Sequence, residues 1–90
     1  MSITLQVKKV RQRPSISWYV YPDSHKELTL KKYATLSSDM PDLLTLIATL
    51  TFPDQETHDA WAQDPDIKRE RDLAAAYDIS VGISTENKYL

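Results

Sequence analysis

The sequence predicts an α+β fold: one mostly antiparallel sheet of about four strands, with helices covering one face. Two observations carry this prediction. Several segments alternate apolar and polar residues with the two-residue period of a half-buried strand. Between the last two of them the apolar residues recur at helical spacing instead, behind good capping residues. There is no internal repeat, low-complexity tract or linker, so residues 1–90 are expected to form a single domain.

The first predicted strand is ITLQVKKV, with Ile3, Leu5 and Val7 on one face and Thr4, Gln6 and Lys8 on the other. The alternation slips at Lys8 and Lys9 before Val10, which predicts a bulge or the strand end. SISWYVYP alternates again, Ile16, Trp18 and Val20 against Ser17, Tyr19 and Tyr21, and reads as a second strand. RQRP between them lacks the glycine or asparagine of a tight hairpin turn, so a looser loop set by Pro14 is expected. The stretch that follows, up to Pro41, reads two ways. Asp23 or Ser24 would cap a short helix with Leu30 and Tyr33 inward, yet Leu28 and Leu30 also alternate as in a strand; the short helix is preferred.

LLTLIATLTF is the clearest strand. Leu44, Leu46, Ala48, Leu50 and Phe52 share one face, and Thr45, Ile47, Thr49 and Thr51 the other. Asp54 then caps a helix, with Glu56 near its positive dipole end and Ala60 and Trp61 inward. Pro65 suits the first position of a new helix capped by Asp64, so two consecutive helices or one kinked helix are expected. Ile67, Ala74 and Tyr77 make an inward stripe opposite a solvated charged face. ISVGIS, with Ile79, Val81 and Ile83 against Ser80, Gly82 and Ser84, reads as the last strand. TENKYL is left as an exposed tail unless Tyr89 and Leu90 dock on a neighbour. Strand, helix and strand over residues 43–84 predict a right-handed crossover.

Composition excludes several chemistries. Without cysteine there is no disulfide, thiolate metal site, Fe–S cluster or thiol nucleophile. With Gly82 as the single glycine there is no phosphate-cradling loop and no dinucleotide fingerprint, because both need backbone that approaches phosphate closely. The acids from Asp54 to Asp78 lack the alternating ligands and central glycine of a calcium loop. His58 has Ala62 at i+4, and Asp54 at i−4 would bring its ligand count only to two. His25 stands beside Asp23 and Ser24, but catalytic triads are spatial, so this adjacency assigns nothing. No catalytic residue, cofactor or metal site follows from the sequence.

Residues 1–33 hold seven basic and two acidic side chains, against four and eleven in residues 34–90. The simplest reading is that the two segments complement each other within the fold or across a dimer. Nucleic acid is not an expected partner, because the basic cluster is small and has acidic neighbours. The start carries its charges after an apolar run, the reverse of a secretory signal, and no apolar run reaches the ~18–20 residues that span a bilayer. A soluble, cytoplasmic or intracellular protein is expected.

The predicted second face of the sheet is neither greasy nor charged, and a second copy of the same sheet would cover it well in a twofold homodimer. Tyr19, Tyr21, Thr45, Thr49 and Gly82 are its candidate interface or ligand residues. Trp18, His58 and Trp61 are candidates to line a pocket where helix meets sheet.

The stretch TLTFPDQETHDAWAQDP, a strand, a short turn and a helix carrying an Ala-Trp pair, resembles the second half of antibiotic-biosynthesis-monooxygenase-like domains. These are ferredoxin-like proteins that pair sheet to sheet as dimeric α/β barrels. It is also similar to small uncharacterised marine and phage proteins. The resemblance covers residues 43–84. It implies a ferredoxin-like sheet and a dimer. The two strands read before residue 22 depart from the ferredoxin-like order, which places a helix between its first two strands, and no catalytic position of the family carries over. The expected function is a homodimeric binding or assembly protein without catalysis, with a possible small-molecule ligand. The alternative is a cofactor-free monooxygenase-like enzyme.

Overall fold

The computed structural model describes residues 2–90. Its elements are β1 (Ile3–Val10), α1 (Asp23–Lys32), β2 (Thr35–Asp42), β3 (Thr45–Phe52), α2 (Gln55–Gln63), α3 (Pro65–Val81) and β4 (Ser84–Tyr89). The sheet runs β2-β3-β1-β4 with every neighbouring pair antiparallel. This is the ferredoxin-like α+β arrangement. β3 and β4 both run against β1, so the crossover through α2 and α3 joins parallel strands with β1 between them. No helix among the described residues is long and apolar enough to cross a membrane.

β1 and β3 form as their alternation predicts. Their register sets Leu5 opposite Leu50 and Ile3 opposite Phe52, so both apolar rows face the helices. Phe52 and Ile67 are fully buried, and Leu5, Trp61, Tyr33 and Ala34 complete the core cluster. Trp61 packs on Phe52 with ring centroids 5.0 Å apart. β1 does not bulge at Lys8 and Lys9. It stays paired to Val10, with Lys9 on the helix side of the sheet.

The two consecutive helices are capped as expected. Asp54 accepts from Thr57 N–H at 2.7 Å. The Asp64 carboxylate accepts from Asp66 N–H at 2.9 Å and Ile67 N–H at 3.4 Å, and its other oxygen accepts from the Tyr33 hydroxyl at 2.6 Å. Asp64 therefore starts α3 and also holds the end of α1 against it. α1 is a helix, although Pro22 stands at its N-cap and no side chain caps it; neither Asp23 nor Ser24 does so.

Four segments differ from the sequence reading. Residues 16–21 form no strand. The carbonyl of Ile16 accepts from Arg11 and that of Ser17 from the Tyr77 hydroxyl at 2.6 Å, so side chains take the groups that a strand neighbour would use. ISVGIS is not a strand either. α3 continues through it to Val81, leaving Ile79 exposed, and ends where Gly82 turns left-handed at φ 80°. The N–H groups of Gly82 and Ile83 both return to the Asp78 carbonyl, closing the helix. The supposed tail is then β4. The fourth strand is β2, a polar segment exposed along its whole length, which pairing with β3 alone keeps extended.

Two outcomes are expected. Gly82→Ala places a Cβ in a left-handed position, 3.1 Å from the flexible end of Gln12. It should lower stability by about 1 kcal/mol, read as a fall in Tm of roughly 4–8 °C. The Tyr33 hydrogen bond, with help from the backbone N–H groups, holds the Asp64 carboxyl below its ordinary range. That contribution is present above the unfolded value of ~3.9 and is lost as pH falls through the lower folded value. Tyr33→Phe should therefore lower Tm at neutral pH, with the deficit shrinking in melts taken below about pH 4.

Candidate functional site

The segment 11–22 leaves β1 without regular structure and crosses to α1. It is tied down by side chains. Arg11 donates from Nε to the Leu43 carbonyl at 2.8 Å and from its terminal nitrogen to Ile16 at 2.7 Å. Tyr19 donates to Glu70 Oε2 at 3.2 Å. These ties carry Tyr19 and Tyr21 onto α3 and α1, on the helix side of the molecule. They do not lie on the opposite sheet face where strand alternation put them. The reason is the loss of the strand: once residues 16–21 leave the sheet, their alternation no longer selects a face.

The two phenols join an aromatic cluster. Tyr19 meets Tyr21 edge-on at 5.1 Å and Tyr77 at 5.7 Å. Tyr21 stacks on the His25 ring at 4.5 Å, with planes 13° apart. Close by is Asp78, which is only 3% exposed in the last turn of α3. Its Oδ2 accepts from Lys9 Nζ at 2.5 Å and from Thr85 Oγ1 at 3.3 Å. Its Oδ1 is buried and has no hydrogen-bond partner among the described residues. On α1, His25 Nδ1 and Thr29 Oγ1, one turn apart, are buried and unpartnered as well. Orphaned polar atoms at this depth are uncommon and costly.

The electrostatics keep these groups in their neutral forms. Burial, then the negative charge of Asp78, pushes the Tyr21 phenol up, with Arg71 opposing. Burial pulls His25 down, with Arg71 acting the same way and Glu70 against it, so the imidazole is mainly neutral at pH 7. Burial and the neighbouring Glu70 raise Tyr19. The arrangement therefore offers one acceptor on a buried carboxylate, a protonated phenol and a neutral imidazole. Such a set can hold a small hydrogen-bonding group or pass a proton.

The other sequence candidates separate. Trp61 is core, with the Arg71 guanidinium 4.4 Å from its ring centre. His58 lies edge-on to Phe52 at 5.1 Å, with Nδ1 3.1 Å from Asp59 and Nε2 2.9 Å from the Tyr89 hydroxyl. It joins α2 to β4. Trp18 stays on the loop, under Arg11 at 4.6 Å. Thr45 and Thr49 are on the face of β3 away from the helices, and Gly82 is at the end of α3, in no strand. Two surface depressions, one along Pro65, Arg69 and Leu73 and the other between Val10, Pro14 and Leu43, are open grooves that do not involve Trp18, His58 or Trp61. Among the described residues no group of three or more His, Cys, Asp or Glu stands ready for a metal ion.

Sequence reading missed Lys9, Glu70, Arg71 and Asp78. A signal existed for two of them. Lys9 occupies the inward parity of Ile3, Leu5 and Val7, and Asp78 falls four residues after Ala74 on the inward stripe of α3. A lysine and an aspartate each placed inward call for one another.

No known family profile matches the chain, and no curated protein gives a significant match. Among solved structures, the chain is similar to a point mutant of SnoaB, a cofactor-independent oxygenase from Streptomyces nogalater. The superposition has a TM-score of 0.58 at 9% identity, over 99% of this chain and 90% of that one. It shows the shared fold.

Lys9→Met should destabilise the protein by about 3 kcal/mol, because it leaves a buried carboxylate without its cation. Lys9→Met with Asp78→Leu should recover most of that loss, as measured by urea unfolding of the single and double variants.

Proposed function

We propose that the protein is a homodimeric binding or assembly protein that associates through the sheet face its own helices leave bare. The observation that carries this reading is the make-up of that face at its centre. Thr4 and Gln6 of β1 stand beside Thr51 and Thr49 of β3, with Ile47 further along, all half-buried, while the charges Lys8, Asp39, Glu86 and Lys88 are exposed around them. A sheet face meant for water alone carries more charge in its middle. A twofold partner would put the same threonine-rich surface against itself. The buried Asp78 and the half-buried Tyr21 and His25 are the groups this chain would offer to a ligand between sheet and helices.

A second reading, cofactor-free catalysis, has one specific observation in its favour: among the described residues Asp78 Oδ1 is an acceptor with no donor, close to a phenol held protonated. SnoaB is described as a cofactor-independent oxygenase. Without a cofactor the substrate must itself supply electrons to dioxygen after losing a proton. Oxygen uptake with electron-rich phenols, abolished by Tyr21→Phe in a protein of unchanged Tm, would carry this reading; no uptake with the whole series would remove it.

Light scattering behind a sizing column should give a mass of at least twice 10.3 kDa. Thr49→Lys puts a charge at the centre of the face and should break that pairing, with a stability change within about 0.5 kcal/mol. A wild-type monomer would end the proposal.

A further inference from the structure

We infer that the free edge of β4 is a second self-association site, built to pair antiparallel with the β4 of another copy in one register. This rests on the two edges of the sheet, not on its bare face, and is independent of the face-pairing proposed above. The edges differ. β2 contains Pro41, loses register between Asp39 and Asp42, and carries both of those acids. Such features blunt an edge against further pairing. β4 has neither a proline nor a register shift: its six residues pair with β1 in unbroken register, and all are exposed.

The direction of its backbone groups follows from one bond. Leu90 N–H donates to the Thr4 carbonyl of β1 at 3.0 Å. Strand backbones alternate, so Lys88, Glu86 and Ser84 also turn their N–H and C=O groups toward β1. Thr85, Asn87 and Tyr89 turn theirs outward. A second β4 can dock only where outward groups meet outward groups, so the twofold axis must pass through a residue and not between two.

Three registers satisfy that condition and also pair more than one of the outward residues. An axis on Glu86 sets Glu86 against itself, and an axis on Lys88 sets that lysine against itself. An axis on Asn87 does neither. It sets Glu86 of each copy opposite Lys88 of the other, twice, and pairs Thr85 with Tyr89 and Asn87 with its twin, so all three outward residues find partners. Opposite charges directly across a strand pair stabilise it, and like charges oppose it. Neither Glu86 nor Lys88 is in an ion pair among the described residues, so both are available. A lysine on an edge normally repels stray strands. Here it does so for every strand except one with an acid at the matching place, and β4 itself has that acid.

The product is a continuous sheet of two four-stranded halves, with all helices on one side and both bare faces on the other. The axis stands perpendicular to the sheet, because cross-strand partners share a face.

The test is sedimentation velocity on wild type and charge variants, with circular dichroism to confirm the fold. Lys88→Glu alone, or Glu86→Lys alone, sets like charges across the edge and should weaken self-association about tenfold or more. Mixing the two single variants should restore it, because each then meets its complement. The double variant Glu86→Lys/Lys88→Glu should associate by itself as wild type does. An association unchanged by either single variant, or one that mixing fails to restore, overturns the proposal, as does a wild type that is monomeric. Thr49→Lys reads the other surface. Loss of mass with Thr49→Lys but not with the charge variants would leave face-pairing standing and sink the edge. The opposite pattern would do the reverse.

Discussion

Asp78 is the junction on which the rest of the structure depends. Its carboxylate receives Lys9 from the central strand and Thr85 from β4, and its carbonyl receives the N–H groups that stop α3. The end of α3, the left-handed turn at Gly82 and the join to β4 thus meet at one residue. The carboxylate is almost wholly removed from water, so it is tolerable only with its cation in place. Lys9 must therefore remain inside, and that in turn keeps β1 regular to Val10 where its sequence suggested a bulge.

From that junction the molecule divides into surfaces with different chemistry. The helix side combines an apolar cluster around Phe52, Trp61 and Ile67 with a polar, aromatic region where segment 11–22 lies over α3. Among the described residues, the polar region leaves atoms of Asp78, His25 and Thr29 without hydrogen-bond partners. Such atoms cost a fold stability instead of adding to it. The other side of the sheet is bare, and the two edges differ in how they meet another strand.

The candidate site was legible only in fragments. Tyr19 and Tyr21 stood out in the sequence as a pair two residues apart, and they do lie together. Their side of the molecule was misread because an alternating pattern in an aromatic-rich segment resembles a strand whether or not a neighbour exists to pair with it. Tyr77, distant in sequence, and Arg11, five residues from Ile16, take the carbonyls that a strand would have used. His58 looked isolated because its partner Tyr89 lies 31 residues away, in a segment read as a tail. Trp61 was read correctly as an inward anchor, because helical spacing from a well-capped start determines the inward face locally.

By itself the sequence determined the elements whose signals are local. These are the alternation of β1 and β3, the Asp54 and Asp64 caps with Pro65 between the two helices, the inward place of Trp61, and the α+β class. Tertiary structure decided the elements whose signals are not local. β2 is a polar strand that exists only because β3 offers it a ladder. The ISVGIS alternation yields to α3 because Gly82 can turn left-handed after Asp78, and because Lys9 and Thr85 hold Asp78 in place. β4 follows from that turn. The ladder between β2 and β3 and the Lys9–Asp78 pair are contacts that the apolar and polar periodicity of a single segment does not encode.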